Sequence, residues 1–150
     1  MFKMTAFLFV VCVASFSFKE NPSVSYISQY KEIAISEMLR TGIPASIKMA
    51  QALLESGAGQ STLAVKANNH FGIKCGGQWD GKTFYREDDD FNKKGKLIKS
   101  CFRKFDSATE SYIAHSNFLA HQNRYEFLFA LESSDYRSWA FGLRKAGYAT

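Results

Sequence analysis

The chain has 150 residues, which indicates a single domain long enough to bury a hydrophobic core. Its composition is ordinary for a soluble globular protein except for the aromatic residues, which make up 15% and include 14 Phe and 7 Tyr. The net charge of +5 favours acidic partners such as nucleic acid, anionic lipid or anionic wall polymers, and by itself it does not choose among them.

The first 17 residues have the layout of a signal peptide. A short basic start precedes an apolar run that is too short to span a bilayer comfortably, and polar residues follow at once from Lys19. A buried first helix is the alternative. Cys12 lies in this segment, and Val11 before it does not suit lipoprotein processing, which requires a small residue. We therefore predict a signal peptide at 1–17, export to the periplasm, cell envelope or medium, and a folded domain over 24–150.

Three helices are predicted after this segment. An amphipathic pattern over Ser23 to Arg40 ends at Gly42, and its apolar face consists of Ile27, Tyr30, Ala34 and Met38. The second helix begins at Pro44 and ends at Gly57, and its predicted buried stripe is Ile47, Ala50, Leu53 and Leu54. A short third helix is predicted over 61–67.

The pattern changes between His70 and Phe105 to short alternating runs of β-branched and aromatic residues, which predict a small antiparallel sheet. Its strands are H-F-G-I-K-C, G-K-T-F-Y-R-E-D and K-L-I-K-S-C-F-R-K-F. Cys75 and Cys101 lie in the first and third strands, and in an oxidising compartment this even pair predicts a disulfide rather than a metal site or a reactive thiol. The three histidines lack zinc spacing, so no metal is expected.

Helical patterns return in the last third of the chain. Ser107 and Glu110, in S-A-T-E, match a capping box that begins a helix ending near His121. Two more helices are predicted over 125–132 and 135–145. The order of helices, a small β lobe and further helices predicts an α+β domain with a cleft between its two lobes.

Glu55 occupies an unusual position for an acidic residue. An isolated Glu at the edge of a buried stripe most often extends to water. Here the helix dipole in the last turn disfavours negative charge, and Leu54 and the glycine turn leave the carboxyl partly desolvated. Both effects raise a carboxyl pKa. A protonated Glu beside a cleft is what a glycosidase needs to protonate the leaving sugar oxygen.

Glycoside cleavage usually needs a second carboxylate across the cleft. The acidic run at 87–90 is the candidate source, and strand alternation places Glu87 and Asp89 on one face and Asp88 and Asp90 on the other. A solvated acidic turn and a calcium site are the alternatives. The run by itself does not tell which of the four residues matters.

Four stretches carry a resemblance to a known family: M-A-Q-A-L-L-E-S-G-A-G-Q-S-T-L-A, A-N-N-H-F-G-I-K, C-F-R-K-F-D-S-A-T-E-S-Y and A-G-Y-A-T. Together they resemble the endo-β-N-acetylglucosaminidases of glycoside hydrolase family 73, which include flagellar and autolysin-type peptidoglycan hydrolases, over residues 26–150. E-S-G alone also occurs in lytic transglycosylases and goose-type lysozymes, whereas E-S-G followed by N-N-x-F-G-I-K is specific.

The resemblance implies a lysozyme-like α+β fold, mainly helical, with a small antiparallel β lobe flanking the active-site cleft. It implies cleavage of the β-1,4 bond between N-acetylglucosamine and N-acetylmuramic acid. Glu55 matches the general acid, Tyr148 matches a tyrosine near the active site, and the second carboxylate maps to 87–90, where we favour Asp89 and then Glu87. That group either activates water or steadies attack by the substrate's own acetamido group.

Four residues are candidates for binding the substrate. Asn69 and Phe71 lie in N-N-H-F-G-I-K, and Trp79 and Tyr85 are rings in the β lobe; helix-ending and core roles are the alternatives. Relatives continue past A-G-Y-A-T with a further segment, so one interpretation is that the chain is truncated at its C-terminus.

Two other functions compete with the leading one. They are a muramidase or lytic transglycosylase, and a non-catalytic wall-binding module. A nucleic-acid binder fits the charge, but the chain carries no recognised motif for it. We expect a monomer that acts on peptidoglycan glycan strands, without nucleic acid or a cofactor, and without stable membrane insertion once the signal is removed.

Overall fold

The computed structural model describes residues 20–148, apart from the side chain of Asp89. The predicted signal peptide at 1–17, with Cys12, lies outside the described residues. In chain order the elements are α1 (Pro22–Thr41), α2 (Ala45–Glu55), α3 (Thr62–Ala67), β1 (Thr83–Phe91), β2 (Leu97–Arg103), α4 (Ala108–Ala120), a 3-10 helix (Asn123–Ala130) and α5 (Tyr136–Lys145). The predicted α+β class is confirmed. None of these described helices has the length and apolar character needed to cross a membrane.

Local capping chemistry sets the ends of the helices. The Asn21 side chain caps the start of α1, and Gly42 ends that helix in the left-handed region at a φ of 81°. The Ser107 hydroxyl oxygen accepts the backbone N–H of Glu110 at the start of α4, as the S-A-T-E pattern predicts. Each cap satisfies backbone groups that the helix itself leaves unpaired.

β1 and β2 form an antiparallel two-stranded sheet. The third predicted strand, H-F-G-I-K-C, is present over its second half, where Lys74 forms an antiparallel bridge with Phe102 of β2 and the N–H of Arg103 donates to the carbonyl of Ile73. The Asn69 side chain keeps the first half from extending: its amide oxygen accepts the N–H of Ile73 and its NH₂ donates to the carbonyl of the same residue. These two bonds hold residues 70–72 in a tight loop.

The predicted disulfide is confirmed. Cys75 and Cys101 are bonded, with their Cα atoms 5.5 Å apart. The backbone N–H of Cys75 also donates to the carbonyl of Cys101. The loop that follows Asn69 is therefore fastened to β2 both covalently and by the backbone.

Two apolar clusters share α2, which places this helix at the centre of the core. The first joins α2 to α4, the 3-10 helix and α5 through Ile43, Ile47, Leu119, Tyr125, Leu128, Trp139 and Leu143. The second joins α2 to α1 and α4 through Tyr26, Ala34, Met49, Ala52, Phe71 and Tyr112.

The predicted inner face of α2 is partly wrong. Leu54 is 78% exposed and Ala50 is exposed, whereas Lys48 is fully buried. The inner face of α1 also differs from the prediction, since Ile27 is exposed and Glu37 is buried. Polar residues occupy these inner positions because each finds a hydrogen-bond partner inside the protein, which offsets the cost of desolvation.

Replacing Cys75 and Cys101 together by Ala is expected to lower the free energy of unfolding by about 3–4 kcal/mol. The bridge restricts the unfolded chain, because it closes a loop with a sequence separation of 26. Denaturant unfolding of the oxidised protein and of the double variant measures the difference. Reduced wild type is the control and should unfold like the variant, whereas equal stability of the oxidised protein and the variant contradicts the expectation.

Candidate active site

A cleft of about 520 Å³ lies where the helices meet the disulfide-linked loop and β2. Its helical side consists of Glu55, His115, Phe118, Tyr125 and Tyr148. Its opposite side consists of Phe71, Gly72, Ile73, Lys74, Gly76 and Arg103. The cleft expected between the helical and β parts of the domain is therefore present.

Glu55 is the last residue of α2 and the only carboxylate among the described residues that line this cleft. Its side chain is exposed enough to reach a ligand. Desolvation raises the pKa of Glu55, and no neighbouring charge or hydrogen bond within residues 20–148 offsets that effect. A carboxyl in this setting holds its proton to higher pH than an ordinary glutamic acid does.

The turn after Glu55 fixes where this carboxyl points. Ser56 is fully buried, and its hydroxyl oxygen accepts the backbone N–H of Gly59. Gly59 has a φ of 78°, and a Cβ at this position would lie 2.9 Å from the ring of Tyr26. The S-G-A-G segment is therefore anchored in the core, and Glu55 is left at the cleft edge as the helix ends.

Tyr148 lines the same cleft as Glu55. Its hydroxyl lies 2.8 Å from Nε2 of His115. Burial raises the pKa of Tyr148, and the nearby charge of Glu55 raises it further, so the phenol keeps its proton at neutral pH. The tyrosine is therefore a hydrogen-bond donor beside the carboxyl.

Beneath Tyr148 lies a buried pair that sequence analysis missed. Nζ of Lys48 lies 2.7 Å from Nδ1 of His115, and the two residues are 0% and 2% exposed. Burial lowers the pKa of Lys48 from 10.5 to about 7 and holds the pKa of His115 well below 6.5. Only a weak signal in the sequence indicates that Lys48 is buried. It lies one helical turn before Ala52, on the face of α2 that also buries Met49.

Phe71 and Asn69 have different positions relative to the cleft. The Phe71 ring lies in its wall and stacks on the His115 ring, with centroids 4.1 Å apart and an interplanar angle of 9°. Asn69 is 1% exposed, and its NH₂ donates to the carbonyls of Ile73 and Arg103. The expectation of direct substrate contact is corrected for Asn69, because its amide is used in shaping the cleft wall from behind.

The acidic run lies on β1, away from the immediate lining of the cleft. Asp88 and Asp90 share one partner, Lys74, whose Nζ lies 3.1 and 2.6 Å from their carboxylates. Glu87 is exposed on the strand, and none of these three acids lines the cleft. The backbone of Asp89 belongs to β1, and its side chain lies outside the described structure.

Over the part of the chain that is described, no group of three or more His, Cys, Asp or Glu residues is arranged to hold a metal ion.

The two predicted sugar-stacking rings are placed differently. Trp79 lines a groove of about 700 Å³ that shares Ile73, Arg103, Phe118 and Gln122 with the cleft. The Arg103 guanidinium lies 4.6 Å from the centroid of the Trp79 ring. Tyr85 is 60% exposed on β1 and lines neither the cleft nor the groove. Of the two rings, Trp79 is therefore the one that borders a groove continuous with the cleft.

Comparison with known sequences finds one matching family over most of the chain. The family described as Glucosaminidase, mannosyl-glycoprotein endo-beta-N-acetylglucosaminidase, matches residues 31–150. The exo-glucosaminidase LytG of Bacillus subtilis is 39% identical over 109 residues, which are 70% of this chain and 38% of that protein. The peptidoglycan hydrolase FlgJ of Pseudomonas aeruginosa is 34% identical over 118 residues, which are 74% of this chain and 29% of that protein. The chain thus spans well under half the length of these relatives.

Solved structures show the same fold. The glycoside hydrolase domain of Salmonella typhimurium FlgJ superposes with a TM-score of 0.68 at 26% identity, covering 85% of this chain and 77% of that domain. A peptidoglycan hydrolase from Sphingomonas sp. A1 superposes with a TM-score of 0.68 at 27% identity, covering 84% of this chain and 78% of that chain.

The buried lysine predicts a pH dependence of stability. Between about pH 7 and 10.5 the unfolded chain keeps Lys48 protonated and the folded protein does not. The unfolded state therefore binds more protons, and the free energy of unfolding rises with pH through this window and is lost as pH falls toward 7.

Lys48→Met is expected to remove this rise in the free energy of unfolding, as measured by denaturant unfolding at about pH 6 and about pH 9. The matched control is Lys31→Met, which changes an exposed lysine of α1 and should keep the wild-type rise. A Lys48→Met protein with the same pH dependence as the wild type contradicts the prediction.

Proposed function

Because the chain belongs to the glucosaminidase family, we propose that it hydrolyses the β-1,4 bond between N-acetylglucosamine and N-acetylmuramic acid within peptidoglycan strands. The observation that carries the proposal is Glu55, an accessible carboxyl with a raised pKa in the cleft. Such a group holds its proton to higher pH than an ordinary glutamic acid, which favours its donation to a glycosidic oxygen.

In the proposed reaction, the Glu55 proton passes to the bridging oxygen as that oxygen separates from C1 of N-acetylglucosamine. Positive charge develops at C1, and either water attacks C1 directly or the acetamido oxygen first bonds to C1 and water then displaces it. In both routes the oxygen of water ends bonded to C1 and its released proton passes to an active-site carboxylate. A carboxylate of β1, Asp89 or else Glu87, is proposed to activate that water or to steady the acetamido group. The new chain end is a reducing N-acetylglucosamine.

The charges of the cleft support an acidic glycan as the substrate. Arg103 and Arg124 line the cleft, as does Lys74, whose charge is shared with Asp88 and Asp90, and Glu55 is the one acid among the described residues of this lining. The stem peptides of peptidoglycan carry carboxylates, which a basic cleft attracts. Trp79, held against Arg103 in the adjoining groove, offers an aromatic ring for a sugar further along the strand.

The proposal also places the protein outside the cytoplasm. Peptidoglycan lies beyond the cytoplasmic membrane, and the predicted signal peptide at 1–17 provides the export route. The proposed chemistry needs one copy of the chain, a glycan strand and water. It involves no nucleic acid and no cofactor.

Glu55→Gln is expected to reduce cleavage at least about 100-fold, because an amide cannot supply the acid proton. Release of reducing sugars from purified peptidoglycan measures the loss. Glu32→Gln, at an exposed position of α1, is the matched control and should cleave like the wild type. Near-normal cleavage by Glu55→Gln contradicts the assignment.

The wild-type rate should fall as pH rises through the raised pKa of Glu55.

Mass spectrometry of the wild-type products separates this function from the others. Reducing N-acetylglucosamine ends support the proposal. Reducing muramic ends identify a muramidase, and anhydro-muramic ends identify a lytic transglycosylase. Binding of the wall with no new ends identifies a non-catalytic module.

Substitutions on β1 test the second carboxylate. Asp89→Asn is expected to slow cleavage about 100-fold and Glu87→Gln less, because loss of the assisting group leaves the charge at C1 unmet. Asp80→Asn, at an exposed site before the strand, is the matched control. Full activity of both β1 variants in the peptidoglycan assay contradicts the assignment of the second carboxylate to this strand.

A further inference from the structure

Lys48 is an internal lysine with a single hydrogen-bond partner among the described residues. It lies in the middle of α2 and is 0% exposed, and its Nζ lies 2.7 Å from Nδ1 of His115. No carboxylate of residues 20–148 with a described side chain lies within 4.0 Å of it. A buried cation without a direct ion pair is costly, so its remaining hydrogen bond strongly constrains its neighbour.

The other charged groups that act on Lys48 come from α1. The carboxylate of Glu37 favours the ammonium form, but it is held by two hydrogen bonds from Arg40, at 2.9 and 2.6 Å. Arg40 opposes the positive charge of Lys48. From the loop after α3, the Phe71 ring lies 5.4 Å from Nζ and presents its π system to the cation.

Lys48 and Tyr148 are connected by two hydrogen bonds through His115, and the direction of each bond is defined. Below about pH 7 Lys48 is mostly an ammonium, which has only donors, so Nδ1 of His115 must be the acceptor. His115 is neutral, because its pKa is held well below 6.5, and its one ring hydrogen therefore lies on Nε2. That N–H donates to the Tyr148 oxygen at 2.8 Å. The Tyr148 hydrogen is then left for another acceptor.

We infer that Lys48 is a positioning residue, which acts through His115 to keep the hydroxyl hydrogen of Tyr148 directed into the cleft beside Glu55. This inference rests on the proposed function for its consequence in catalysis: the Tyr148 hydrogen is available to an oxygen of the bound glycan at the bond that Glu55 protonates. Its structural part, the direction of the hydrogen bonds, is independent of any activity.

Without the ammonium the opposite direction is favoured. A phenol O–H is a stronger donor than an imidazole N–H, and an imidazole nitrogen is a stronger acceptor than a phenol oxygen. Tyr148 would then donate to Nε2 of His115, and the ring hydrogen would move to Nδ1. The hydroxyl hydrogen of Tyr148 would point away from the cleft, and a bound sugar would meet only an oxygen lone pair.

The direct test is the tautomer of His115 in the wild-type protein. Nitrogen NMR of histidine-labelled protein at about pH 6, where Lys48 is mostly an ammonium, distinguishes a protonated Nε2 from a protonated Nδ1. We expect a protonated Nε2 in the wild type and in Lys31→Met, and a protonated Nδ1 in Lys48→Met. A protonated Nδ1 in the wild type overturns the inference, whether or not the protein cleaves peptidoglycan.

A double-mutant cycle tests the consequence for the reaction. Lys48→Met is expected to lower kcat on purified peptidoglycan about tenfold when Tyr148 is present, and to have no further effect in a Tyr148→Phe protein. Equal losses in both backgrounds mean that Lys48 acts only on the fold, and they overturn its positioning role. An inactive wild type refutes the proposed function instead, and the tautomer measurement then still decides the direction of the hydrogen bonds.

Discussion

The hydrogen bond between the buried side chains of Lys48 and His115 is the constraint on which the cleft depends. Moving a lysine from water into a protein core is costly unless a partner accepts its hydrogen bond, and among the described residues the imidazole is that partner. α2 and α4 must therefore bring these two side chains within 2.7 Å. The Phe71 ring stacks on the imidazole, and Tyr148 bonds to its other nitrogen, so the loop after α3 and the C-terminal turn are placed by the same contact.

The inner face of α2 is firmly packed, whereas the carboxyl of its last residue, Glu55, has no ion-pair or hydrogen-bond partner among the described residues. Its inner face is fixed by Lys48 and by two apolar clusters, and its last residue, Glu55, has no described partner to lower its pKa. The buried Ser56 turn stops the helix at that point. The carboxyl is thus held in place by the backbone while its charge is left unsatisfied, which suits a group that exchanges a proton with a ligand.

Local signals in the sequence predict much of this structure. Caps and apolar patterns locate the helices, the two late cysteines predict the bridge, and Glu55 is recognisable because an acid is out of place in the last turn of an apolar helix. Lys48 is not predictable in this way, because a lysine within a helix normally faces water and only the position of His115 on α4, 67 residues later, makes its burial possible. The loop fixed by Asn69 is similar: the alternation of H-F-G-I-K-C favours a strand, and the side-chain bonds to Ile73 override that preference in the first half of the segment only.

The central claim is that Glu55 is held in the cleft as a proton donor, with Tyr148 beside it. Carbon NMR titration of the Glu55 side-chain carboxyl in the wild-type protein tests this claim most directly. The account predicts a midpoint clearly above the ordinary value of 4.5, because desolvation is unopposed at this position. A midpoint at or below 4.5 would mean that the cleft does not raise the proton affinity of the carboxyl, and it would contradict the claim.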